Sequence, residues 1–85
     1  MNYTLENFDP KNKKEFVKFM DLLIKDYERN YGVWQNLTIE DFLYAIQNYA
    51  EDIDGYYKNT NQKINPNEPS WKVFADILKG ARIYE

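Results

Sequence analysis

The segment "LTIEDFLYAIQNYAEDIDGYYKNTNQ", residues 37–62, carries the signals that separate a helical fold from a mixed one. Thr38 followed by Asp41 is a helix-start signal, because a threonine side chain can accept a hydrogen bond from an unpaired amide of the first turn. Ile39, Phe42, Leu43, Ile46, Tyr49, Ala50 and Ile53 then recur at the intervals of one apolar helix face. Gly55 reads as the stop, since glycine enters the left-handed conformation that closes a helix without steric cost. The spacing predicts a helix over 39–54 and a long polar connection over 55–69. Within that connection Pro66 and Pro69 oppose helical continuation, and Ile64 is the one aliphatic anchor.

The same reasoning extends in both directions. Asn12 with Glu15 resembles a capping box, and Phe16, Met20, Leu23, Ile24 and Tyr27 follow at helical spacing, with Val17 and Phe19 broadening the stripe. This predicts a helix over 13–30, with Gly32 as its stop and "GVWQNLT" as a tight turn returning Val33, Trp34 and Leu37 to the core. After the connection, Ser70 caps a third helix over 71–84 with Trp71, Phe74, Ala75 and Leu78 on one side. Gly80 falls inside that span. Were it to end the helix, "ARIYE" would be extended and could pair with the N-terminal arm that holds Tyr3, Leu5 and Phe8. The expectation is therefore an all-α, compact three-helix domain covering residues 1–85, and the alternative is an α+β fold with short N- and C-terminal strands. The helical version is preferred because an isolated two-stranded sheet is marginal on its own.

Composition narrows the chemistry. A chain of 85 residues supports one domain with one modest core. Its 44 % hydrophobic and 18 % aromatic content is too apolar for a disordered segment. Cysteine and histidine are both absent. That excludes disulfides, thiolate metal sites, conventional catalytic triads and histidine-based zinc centres. No apolar run approaches the about 20 residues of a membrane span, and the first residues lack the pattern of a signal peptide, so a cytoplasmic location is expected.

The carboxylates of "EDIDG" invite comparison with a calcium loop. With Gly55 at the sixth position, Asp52 and Asp54 fall at ligand positions, but Ala50 stands where the first ligand belongs and Asn61 where a bidentate glutamate is required. A cation-dependent accessory role or weak enzyme using Asp52 and Asp54 is kept as an alternative. No phosphate loop, nucleotide fingerprint or acid–base pair is visible, so an enzyme, a cofactor and a metal site are not expected.

Charge is unevenly distributed along the chain. Basic and acidic residues balance over 1–30, whereas residues 31–57 carry Glu40, Asp41, Glu51, Asp52 and Asp54 and no lysine or arginine. The overall net charge of -3 conceals this acidic middle. Because the N-terminal lysines are matched by acids and spread around their helix, neither nucleic acid nor membrane is an expected partner. A basic protein is the partner that the acidic middle would attract.

Trp34, Phe42, Tyr49, Trp71 and Phe74 fall where a small core needs volume. Tyr44 lies toward the flank that also holds Gln47 and Glu51, and Tyr56 and Tyr57 adjoin the expected helix end. Tyrosine loses little rotamer entropy on contact. The candidate interface is therefore Tyr44, Glu51, Asp54, Tyr56 and Tyr57, on a monomer or a homodimer.

Trp34 in its turn, "EDFL" at 40–43, "DGYY" at 54–57, "PSW" at 69–71 and the closing Tyr84-Glu85 together resemble a family of small, mostly bacterial, single-domain proteins of unknown function. The resemblance spans about 50 residues and implies a freestanding domain without assigning an activity. The expected role is noncovalent protein binding or accessory work. A toxin-neutralising, immunity-like role is the alternative suggested by small size and acidity.

Overall fold

The computed structural model describes residues 4–84. It contains three α-helices, α1 (Lys13–Arg29), α2 (Ile39–Asn59) and α3 (Trp71–Ala81), with single 3₁₀ turns at Leu5–Asn7 and Tyr31–Val33. No strand occurs among the described residues, so the all-α architecture holds and the α+β alternative does not. Tyr3 and Glu85, on which the N-terminal arm and the closing motif partly rested, lie outside those residues.

Each helix begins at its expected cap. Asn12 Oδ1 accepts from the Glu15 amide at 2.8 Å, Thr38 Oγ1 from the Asp41 amide at 3.0 Å, and Ser70 Oγ from the Val73 amide at 3.1 Å. Glu15 reaches back one residue further than a capping box requires, accepting from the Lys11 amide at 2.9 Å. Helix ends depart more from expectation. α2 does not stop at Gly55, which has no positive φ, but continues for another turn to Asn59. The left-handed residue at its end is Asn61, with φ 57°, and the Thr60 and Gln62 amides donate to the carbonyls of Tyr56 and Tyr57. The connection is thus residues 60–70, shorter than predicted. α3 ends at Ala81 rather than 84, and Arg82 begins a turn.

α3 is the element against which both other helices pack. One cluster joins Leu5, Phe8, Phe19, Leu23, Trp34 and Ala75, and a second joins Ile53, Tyr57 and Val73, with Ile64 of the connection packed against it. The lone aliphatic residue of the loop is therefore its anchor. Along α3, Val73 meets Ile53 and Tyr57 while Gly80 meets Tyr49, so the last helix runs back along α2.

Gly80 sits inside the helix and serves a packing purpose. A Cβ at this position would collide with the Tyr49 ring. Glycine lets that ring lie against the α3 backbone, where it also meets Tyr84 edge-on at 5.0 Å between centroids.

Two further expectations are corrected by the packing. Phe74 is 42 % exposed rather than core, because α1 and α2 cover the other sides of α3 and its ring points to the side they leave. Val17, Ile24, Ile39, Leu43 and Ala50, assigned to apolar faces by spacing, are exposed as well. In each helix the apolar stripe is wider than the neighbour that covers it.

Candidate functional site

The long α2 positions most of the predicted interface. At 100° per residue, Glu40, Tyr44, Gln47, Glu51 and Asp54 fall on one line along the helix, spanning about 21 Å. All five are exposed. Beside that line lie Ile39 and Leu43, 81 % and 59 % exposed, next to Tyr44 at 60 %. Ile39, Glu40, Leu43, Tyr44 and Gln47 line one shallow recess on the N-terminal half of the helix. The result is an apolar patch continued by carboxylates toward the C-terminal half.

Tyr56 and Tyr57 do not belong to this surface. Tyr56 is 37 % exposed and faces the side of Tyr49, with ring centroids 6.3 Å apart. Tyr57 is 2 % exposed and is a core residue, which corrects its assignment as a contact. Because α2 runs past Gly55, Tyr57 lies one turn beyond Ile53 on the buried face. Its hydroxyl donates to Asp76 Oδ2 at 2.7 Å, and burial together with that carboxylate pushes the phenol far above its ordinary pKa.

Asp52 and Asp54 are two positions apart on a continuous helix and point to different sides. Asp52 accepts a hydrogen bond from the Tyr84 hydroxyl, and Asp54 is exposed. Among the described residues no group of three or more histidine, cysteine, aspartate or glutamate side chains is placed to hold a metal ion. No helix among them is long and apolar enough to cross a membrane.

Two ionic networks surround α3, and neither was anticipated from the sequence. The first centres on Arg82, 8 % exposed. Its guanidinium donates through Nη1 to Asp26 Oδ2 at 2.9 Å, through Nη2 to Glu6 Oε1 at 3.0 Å and through Nε to the Lys79 carbonyl at 2.8 Å. Asp26 also accepts from Trp34 Nε1 at 2.9 Å and from Asn30 Nδ2 at 3.0 Å. Burial acts to raise the Asp26 pKa, but the hydrogen bonds from Trp34, Asn30 and Arg82 outweigh it and hold the carboxyl below its ordinary value. The Arg82 carbonyl accepts from the Gln35 and Asn36 amides, and Asn36 Nδ2 donates to the carbonyls of Ala81 and Tyr84. The tryptophan turn is thereby fastened to the end of α3.

The second network centres on Asp76, 3 % exposed. Besides Tyr57, its Oδ2 accepts from Lys72 Nζ at 3.0 Å, and Lys72 also reaches Asp9 Oδ1 at 3.2 Å. Burial would lower the Lys72 pKa, but Asp76 and Asp9 hold it above the ordinary lysine value. Tyr49 stands close by, its phenol pushed up to about 12 by burial and by neighbours that include Asp76. Asp76 had a sequence signal that was not used: an aspartate flanked by Ala75 and Ile77, with lysines at four residues before and three after.

No curated protein and no solved structure matches the chain. A family model matches residues 12–85, which takes in all three helices, Asp26, Asp76 and Arg82. The chain belongs to that family, the Family of unknown function (DUF7660).

Proposed function

We propose that the protein is a noncovalent binding module whose outward α2 face receives an amphipathic segment of a basic protein. The observation that carries this reading is the exposed patch of Ile39, Leu43 and Tyr44 beside Glu40, Glu51 and Asp54. Apolar groups left bare on one helix face favour burial against a partner. The carboxylates alongside select lysine- or arginine-bearing partners and speed their encounter. They also argue against two copies meeting through this face, because like charges would then oppose one another. The cation-dependent reading has weaker support, since Asp52 and Asp54 diverge and Asp52 already accepts from Tyr84. A toxin-neutralising role is the form this reading takes if the basic partner is a toxin.

Replacing Leu43 and Tyr44 by serine removes apolar surface worth about 2 kcal/mol after allowing for the part already covered, roughly thirtyfold in affinity. The test is quantitative affinity capture from native lysate with the wild-type chain, the L43S/Y44S variant and V17S, which alters an exposed residue on α1. Recovery of one near-stoichiometric basic protein by wild type and V17S, with loss from the double variant and at high salt, supports the proposal. Equal recovery by all three chains, or no stoichiometric partner, sinks it.

A further inference from the structure

Along the outward line of α2 the side chains change in kind with position. Glu40 comes first, Tyr44 and Gln47 follow, Glu51 and Asp54 come next, and Lys58 closes the line one turn later, all of them exposed. Carboxylates therefore bracket the recess lined by Leu43, Tyr44 and Gln47. Glu40 and Glu51 are eleven residues apart, which is about three turns and about 17 Å of helix. None of the ion pairs among the described residues engages Glu40, Glu51 or Asp54. Lys58, the one basic side chain on the line, lies beyond Asp54 rather than between the carboxylates.

The form of the occupant follows from the backbone. An extended chain laid on this face would meet a helix, which has no strand edge to pair its amides and carbonyls, whereas a helix satisfies its own. Helices packed side by side at a small crossing angle keep facing residues in step over about three turns. A partner helix lying along α2 thus presents one residue to Glu40 and another, eleven positions away, to Glu51. On the same stripe, its residues four and seven positions in from the first basic group face the recess. Lys58 opposes any further cation one turn on.

We propose that the α2 face recognises a helix whose lysines or arginines stand eleven residues apart on one stripe, with apolar residues four and seven positions after the first. This rests on the reading of α2 as a docking face and adds the register that selects among basic helices.

The test follows amide shifts of the full ¹⁵N-labelled chain during titration with two stapled, alanine-rich helical peptides. In the matched peptide two lysines stand eleven residues apart, with leucines four and seven residues after the first. In the displaced peptide the leucines are unchanged and each lysine is moved two positions, off the stripe, so composition and charge stay the same. The matched peptide is expected to shift the amides of Leu43, Tyr44, Gln47 and Glu51 saturably. It should bind about tenfold more tightly than the displaced one, at about threefold for each exposed ion pair. E51Q should weaken the matched peptide about threefold and leave the displaced one unaffected. Equal affinity for the two peptides overturns the register, and loss of both from the L43S/Y44S chain in that case leaves the docking reading standing. Absence of saturable shifts with either peptide overturns the proposal. Undiminished binding by L43S/Y44S overturns it too and removes the docking reading as well.

Discussion

Replacing Gly80 by alanine sets two physical effects against each other. Alanine is favoured over glycine inside a helix by about 1 kcal/mol, and Gly80 is helical, so propensity alone predicts a more stable protein. Packing predicts the reverse. The new Cβ would collide with the Tyr49 ring, which cannot move without leaving its edge contact with Tyr84 and disturbing the Tyr84–Asp52 hydrogen bond. Overpacking of this kind costs about 1–3 kcal/mol, and loss of the aromatic contact a further 0.5–1.5 kcal/mol or so. The net expectation for G80A is destabilisation by about 2 kcal/mol, or roughly 8–16 °C in Tm for a domain of this size. Urea unfolding followed by circular dichroism would measure it, and a second background identifies the cause. With Tyr49 already replaced by alanine, the obstruction is gone and G80A should become stabilising, a change of sign that a double-mutant cycle reads directly. A wild-type background in which G80A raises the urea midpoint would refute the packing argument, and so would equal destabilisation in both backgrounds.

The other expectations concern α2, the Arg82 network and pH. Gly55 lies in mid-helix with open space where a Cβ would be, so G55A should stabilise by about 1 kcal/mol in the same urea assay, opposite in sign to G80A. R82M leaves Asp26 with Trp34 and Asn30 but without its cation, and should cost about 3 kcal/mol by thermal unfolding. Asp26 has a depressed folded-state pKa, so its contribution is present above the unfolded value of about 4 and fades as pH falls through the folded one. Urea midpoints should therefore decline below about pH 4, less steeply in D26N. Tyr49 behaves oppositely: raised from 10.0 to about 12, it contributes fully below pH 10 and loses that contribution as pH climbs toward the folded value. In an alkaline titration followed by tyrosinate absorbance, the Tyr49 and Tyr57 phenols should ionise late.

Where a fold-determining signal was local, it could be read from sequence. Asn12, Thr38 and Ser70 cap their helices because capping needs only a side chain and an amide three residues on. Helix ends were harder. Glycine permits a stop without enforcing one, and α2 gains more by carrying Tyr57 onto the Ile53 face than by ending at Gly55. The four-residue step from Ile53 to Tyr57 was the available clue, and the same oversight placed Tyr57 on the surface. That Tyr44, Gln47 and Glu51 share a flank of α2 was legible because helical spacing alone defines it, whereas Glu40 was not read as part of that flank. The ionic networks were not, since Glu6, Asp26 and Arg82 are brought together from distant points in the chain by tertiary packing.

The order in which α3 enters the fold has a consequence for synthesis. Both other helices rest mainly on this last one, and the carbonyls that receive Gln35 and Asn36 belong to residues 81–84. During synthesis α1 and α2 therefore emerge before the helix against which both pack, sharing meanwhile the contact of Phe42 with Trp34 and its cluster. Until Val73 and its neighbours arrive, Ile53 and Tyr57 lie open to chaperones or to other nascent chains.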